Sequence, residues 1–278
     1  MTATTPTEEH RMNSTDVQAD TGRIAVSYTH EGRVATVLID RPRKLNALTL
    51  ELLDDLHVEL RAVENSDAQL VLLKTAGEKA FCVGADITQF ADFTPVQMWK
   101  RWIAEGHRVF NFLAQLRQPT IAVIDGIAVG GGLELALACD LRVGGPGARL
   151  GLPETSLGTI PGWGGTERLT NVIGAARAKE LIFTRRQLDA ETALAWGLLT
   201  AVADRDGIDS ATTELVDRIL EGSPAAVQVS KQLVDAAAVG APSAILEALA
   251  SGFTASTHDF AIGVTAFRNK TTPIFTNS

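Results

Sequence analysis

The stretch AVGGGLELALACD, Ala128 to Asp140, sets three consecutive glycines between an apolar run and a helix-forming segment. Glycine costs backbone entropy, so a triplet at a strand-to-helix junction marks a place where another group must approach the main chain closely. The start of a helix also presents unpaired N–H groups and the positive end of the helix dipole. Such a junction suits a phosphate or an oxyanion. Close helix–strand packing through small residues is an equal alternative for the triplet alone. The phosphate motifs fail here: the dinucleotide pattern needs glycine where Leu135 sits, and no lysine follows for a nucleotide loop. The oxyanion reading stands.

Around this junction strands alternate with helices, which indicates an α/β core. IAVSYTHEGRVATVLI alternates in polarity and turns at Glu31-Gly32, as a hairpin does. TLELLDDLHVELRAVEN repeats apolar residues at helical spacing behind Thr49 as N-cap. LVLLKT and TIAVIDG are short buried strands, and LRV and ARLGLP supply further strand pieces. Thr94-Pro95 opens a long helix that runs toward Gln118-Pro119. After Gly164 the chain is mostly helical, with Asp189 capping AETALAW, Gly197 ending it, and Ser223-Pro224 starting the next helix. Residues 1–22 are Thr-rich and almost without large apolar side chains, a composition expected of a disordered tail. The expected organisation is that tail, a core over 23–209, and a helical region over 210–278.

Two carboxylates stand alone among apolar neighbours. Glu134 is the only acidic residue between Asp125 and Asp140, and Glu154 is the only charged residue between Arg149 and Glu167. Burial raises the pKa of such a group, while a helix start lowers it. Each alone reads as helix-end or loop chemistry. Together with an oxyanion site they make a sharper hypothesis: two carboxylates that hold a water and move protons while backbone amides stabilise an enolate. AFCVGADI, residues 80–87, is a second glycine-containing strand exit able to supply the other amide of a two-donor hole.

The remaining features exclude other classes. The formal net charge of -8 argues against nucleic acid as the main partner. Cys82 and Cys139 are too few for a disulfide framework and show no metal spacing, so a reducing cytoplasm is expected and both read as small core fillers. No apolar run reaches the length of a membrane span. The five histidines lack metal or triad spacing, and no Gly-x-Ser-x-Gly elbow supports serine hydrolysis.

The segments IDRPRKLNAL, AFCVGADI, QPTIAVIDGIAVGGGLELALACDLRV, LGLPETSLGTIPGWGGTERL and DAETALAWGLLTAV together resemble the crotonase superfamily, most closely its enoyl-CoA hydratases. The resemblance implies an α/β spiral of repeated ββα turns and a C-terminal helical region that trimerises, often as a dimer of trimers. By motif position Ala85 and Gly131 resemble the residues whose amides bind the thioester carbonyl, and Glu134 and Glu154 resemble the two catalytic glutamates. In the resembling mechanism Glu134 helps deprotonate water at C3 and Glu154 delivers a proton to C2. Substrate contacts are expected from Gly84, Asp86, Ile87 and Trp163, with Asp86 also capping the following turn. Arg41, Arg43, Lys44 and Lys270 are candidates for the phosphates of coenzyme A, with an ordinary solvated charge as the alternative for each. No permanently bound cofactor is expected; coenzyme A enters as the thioester part of an acyl-CoA. A double-bond isomerase is the runner-up, followed by acyl-CoA hydrolysis or C–C cleavage, and a non-catalytic RNA-binding relative is the reading from another class. Thr88, Ile262 and Trp163 depart from the commoner family pattern and bear on the substrate. Trp163 either shapes the acyl pocket or packs against the neighbouring helix.

Overall fold

The computed structural model describes residues 21–204 and 207–278; the tail expected over residues 1–22 falls, up to residue 20, outside them. The chain opens with the expected hairpin. β1 (Arg23–Thr29) pairs antiparallel with β2 (Val34–Asp40), from Arg23 opposite Asp40 to Thr29 opposite Val34. Gly32, at φ 88°, occupies the left-handed region in its turn.

After β2 the strands alternate between two sheets. β3 (Leu70–Thr75), β5 (Thr120–Ile124) and β7 (Leu141–Gly144) join a six-stranded sheet in the order β1-β2-β3-β5-β7-β10, with β10 spanning Ala201–Val202. β4 (Ala80–Cys82), β6 (Ile127–Val129) and β8 (Arg149–Gly151) form a four-stranded sheet with β9 (Leu188–Asp189). The repeat is a ββα spiral, and β4, β6 and β8 run parallel side by side. Their C-terminal ends therefore share one edge. The Gly84-Ala85 segment, the glycine triplet and Glu154 each follow one of these three ends. Ligands of parallel sheets gather at such an edge.

Both faces of the larger sheet are covered, which accounts for the continuous apolar run in LVLLKT. On one side Leu53, Leu56 and Leu60 of α1 (Leu50–Glu64) pack with Phe81, Phe110 and Leu113. On the other, Val34, Leu70, Ile121 and Val143 meet Ile208 and Val216 of the helix Ile208–Leu220, inside which the expected boundary at residue 209 falls. The helices Pro224–Ala238, Ser243–Ala255 and His258–Asn269 follow. Among the described residues no helix is long and apolar enough to cross a membrane.

Local capping matches its chemistry. The Thr49 hydroxyl accepts from the Leu52 amide at 3.1 Å, and the Asp189 carboxylate accepts from the Thr192 amide at 2.8 Å. Thr94 and Gln97 form a reciprocal capping box, but the long helix expected after them is interrupted. Met98–Ile103 is π-helical, and regular α-helix, here α2, occupies Ala104–Gln115. Periodicity at 3.6 residues does not report a π turn, which is set by what the side chains must reach.

Candidate active site

The glycine triplet does what the junction chemistry requires. Gly130 turns the chain at φ 56°, ψ -133°, and α3 (Gly131–Leu137) starts at once, with all seven residues buried. The Gly130 amide is occupied by the Gly151 carbonyl at 3.0 Å, so Gly131 supplies the first amide of the helix not used by that link. A second strand exit lies against it. Leu48 donates to the Gly84 carbonyl at 2.7 Å, and Asp86 donates to the Leu48 carbonyl at 2.8 Å. This parallel bridge uses residues 84 and 86, and so turns the Ala85 amide to the other edge. The two exits touch: a Cβ on Gly84 would sit 2.8 Å from the Gly131 nitrogen. The two strand exits thus bring the Ala85 and Gly131 backbones together on the lining of one cavity.

Glu134 and Glu154 line that same cavity of about 200 Å³. They are held differently. Glu134 is buried, and its Oε1 accepts from the backbone amides of Trp163 at 2.7 Å and Gly165 at 2.8 Å. Burial pushes its carboxyl up, while the amides of Trp163, Gly165 and Gly162 and the Arg168 guanidinium pull the other way. The glycines of PGWGG thus let a turn wrap the carboxylate. A Cβ on Gly165 would lie 2.8 Å from Glu134 Cγ. The sequence carried this signal in its glycines, but nothing in the spacing tied them to Glu134.

Glu154 sits at the first turn of the 3-10 segment Glu154–Leu157, and neither carboxylate oxygen has a hydrogen-bond partner on another of the described residues. Burial pushes its carboxyl up to about 7; its own backbone amide opposes this and the charge of Glu134 adds to it. One carboxyl is cradled by amides and the other points unpaired into the cavity. The two carboxyls therefore sit in different hydrogen-bonding environments on one cavity.

The structure brings together Ala85, Ile87, Gly131, Glu134, Glu154 and Trp163, all on the cavity wall, with Gly84 directly behind. Asp86 departs from the expected substrate contact. Its Oδ2 accepts from the Arg41 guanidinium at 2.8 Å in a nearly buried pair, and its Oδ1 caps Thr88. The carboxylate is spent bracing the segment that carries Ala85. Arg43 and Lys44 lie in the exposed turn Pro42–Lys44, and Lys270 is the exposed C-cap of the last helix, all three outside the cavity lining. Phe90, Met98, Trp102 and Ile103 complete the wall. The apolar periodicity of their segment marks a buried face without saying what that face encloses. Cys82 and Cys139 are buried, with burial pushing both thiols up to about 12, as befits inert core fillers.

A larger cavity, about 560 Å³, lies between the helices Pro224–Ala238 and His258–Asn269 and the C-terminal residues. Its one carboxylate, Asp259, accepts from Thr276, Asn277 and Ser223, which leaves no poised acid–base pair there.

Comparison with known proteins agrees with this geometry. The sequence profile of a family described as enoyl-CoA hydratase/isomerase matches residues 29–278. The chain is 40% identical over 206 residues to a short-chain-enoyl-CoA hydratase of Clostridium acetobutylicum, covering 74% of this chain and 78% of that one. It is 34% identical over 246 residues to a crotonyl-CoA hydratase of Syntrophomonas wolfei, covering 86% and 93%. Among solved structures, an enoyl-CoA hydratase from Bacillus anthracis superposes with a TM-score of 0.87 at 36% identity, covering 92% of this chain and 100% of that one.

Proposed function

Because the chain belongs to the enoyl-CoA hydratase/isomerase family of enzymes, we propose that it adds water across the C2=C3 bond of a 2-enoyl-CoA to give a 3-hydroxyacyl-CoA. The observation that carries this reading is the pair of carboxyls, one held by backbone amides and one not, on a small cavity whose lining also includes Ala85 and Gly131. The thioester carbonyl oxygen accepts from the Ala85 and Gly131 amides, which stabilise the negative charge that develops as the enolate forms. The Glu134 carboxylate, whose Oε1 is held by the Trp163 and Gly165 amides, takes a proton from water as the water oxygen bonds to C3. Neutral Glu154 gives its proton to C2 as the enolate collapses. The two carboxyls then exchange one proton to restore the starting state, so the sum is one water added. The direct test is loss of the enoyl-thioester absorbance band on addition of crotonyl-CoA.

An isomerase needs only one carboxyl to carry a proton between carbons, and Glu154 with both oxygens unpaired is suited to that. The cradle built around Glu134 has no use in that reaction. Conversion of a 3-enoyl-CoA faster than hydration of its 2-enoyl isomer favours the isomerase.

The acid role of Glu154 has a pH signature. A carboxyl raised to about 7 is protonated below that pH and loses its proton above it. Hydration then loses its acid, so kcat/KM is expected to fall about tenfold per pH unit on the alkaline side. A profile that stays level or rises from roughly pH 7 to 9 removes Glu154 as the proton donor.

We further propose that copies of this chain assemble as a trimer or a dimer of trimers. The last three helices expose Val234, Ile245, Leu249, Phe253 and Phe267, with Leu249 at 70% and Phe267 at 85%. Apolar surface of this extent calls for a partner, and a closed symmetric assembly covers it. Light scattering is expected to give a trimer or hexamer mass; a monomer at micromolar concentration excludes it. Arg43, Lys44 and Lys270 remain candidates for the coenzyme A phosphates, testable by the KM of charge-removing variants.

A further inference from the structure

We propose that Trp102 and Trp163 form the blind end of the acyl cavity and restrict the enzyme to short acyl groups. The inference rests on the hydratase reading and adds the residues that set chain length. The Ala85 and Gly131 amides fix where the thioester carbonyl sits, and the two glutamates fix C2 and C3. Carbons beyond C3 meet the apolar part of the cavity, whose more buried side is formed by Phe90, Met98, Trp102, Ile103 and Trp163.

Burial gives this space a direction. Ile87, Leu157 and Ile160 are exposed and mark the mouth, whereas Trp102 and Trp163 are 3% and 2% exposed. A chain entering past the exposed edge therefore ends against the two indoles. Their ring centroids lie 5.3 Å apart, with Phe90 at 5.0 Å from Trp102 and Phe110 at 5.2 Å from Trp163. The Trp163 Nε1 donates to the Trp102 carbonyl at 3.2 Å, so the wall is bonded as well as packed.

The wall has nowhere to retreat. On α2, a Cβ at Gly106 would lie 2.0 Å from Trp163 Nε1; on α3, a Cβ at Gly131 would lie 2.7 Å from Trp163 Cζ3. The indole fills a slot that exists only because both neighbours are glycine. Close-packed side chains of this kind do not swing aside without displacing backbone. The cavity of about 200 Å³ is also smaller than the roughly 300–1,000 Å³ that encloses a drug-sized ligand.

The test is kcat/KM for crotonyl-, 2-hexenoyl- and 2-decenoyl-CoA with the full-length protein and with Trp163→Leu and Trp163→Phe, each checked by thermal melting. Wild type is expected to fall by about tenfold or more from crotonyl to decenoyl. Trp163→Leu is expected to raise the decenoyl-to-crotonyl ratio by a similar factor, and Trp163→Phe to lie between. A residue that only stabilised the fold would lower Tm and leave the ranking alone. A flat chain-length profile in wild type overturns the proposal, and so does an unchanged ratio in a folded Leu variant. Where the Leu variant does not fold, the Phe variant and the wild-type profile decide. Failure to hydrate any 2-enoyl-CoA counts against the hydratase reading alone. The wall is then read by calorimetry, where binding of butyryl-CoA in preference to decanoyl-CoA supports it and equal binding overturns it.

Discussion

Glu154→Gln is expected to lower turnover of crotonyl-CoA by about 10²–10⁴-fold, the range lost with a placed acid or base. Gln keeps the shape of the side chain and removes only the proton that must reach C2. Because neither Glu154 oxygen has a hydrogen-bond partner on another of the described residues, the substitution breaks no bond between distant parts of the fold. Glu134→Gln is expected to cost a similar factor for the opposite reason, since an amide cannot take the proton from water. Its Oε1 can still accept from Trp163 and Gly165, so the PGWGG turn stays in place. Groups that act as a unit lose activity non-additively, so the double variant should fall little below the worse single one. The measurements are steady-state hydration, thermal melting, and binding of a saturated acyl-CoA. Near-wild-type hydration by either folded variant would falsify the assigned roles.

Gly132→Ala is expected to act on the fold itself. A Cβ there would stand 2.0 Å from the Cys82 carbonyl oxygen and 2.6 Å from its carbon, both main-chain atoms of β4. No flexible side chain can yield, so α3 must lift away from the strand. Overpacking of a tight core costs about 1–3 kcal/mol and sometimes more, and in a chain of this size each kcal/mol lowers Tm by about 2–4 °C. The same displacement moves the Gly131 amide, so the surviving folded enzyme should show a reduced kcat. A variant with wild-type Tm and kcat would mean that the helix and strand leave room for a methyl group between them.

Much of this architecture was legible along the chain because it is decided locally. Period-two and period-3.6 patterns report which face of an element is buried, and LVLLKT, TIAVID and TLELLDDLHVEL carry them openly. Thr49 and Asp189 are caps because their side chains satisfy amides three residues on. Glu134 and Glu154 stood out because a lone charge in an apolar run is costly unless it has a use. The lost periodicity at Met98–Ile103 was not legible, since a π turn answers to packing rather than to composition.

What only the tertiary structure decided is pairing at a distance. Asp86 meets Arg41 across 45 residues, which turns an expected substrate contact into a brace. Glu134 is bound by amides 29 and 31 residues away, which explains glycines that the sequence left unassigned. The sequence leaves Trp163 as either pocket wall or packing residue; in the fold its indole fills a slot left by Gly106 on a separate helix and lies on the lining of the cavity. The physical reason is common to all three. Sequence patterns report local backbone preference and burial, whereas the partner of a buried polar or aromatic group depends on which strand ends the spiral sets side by side.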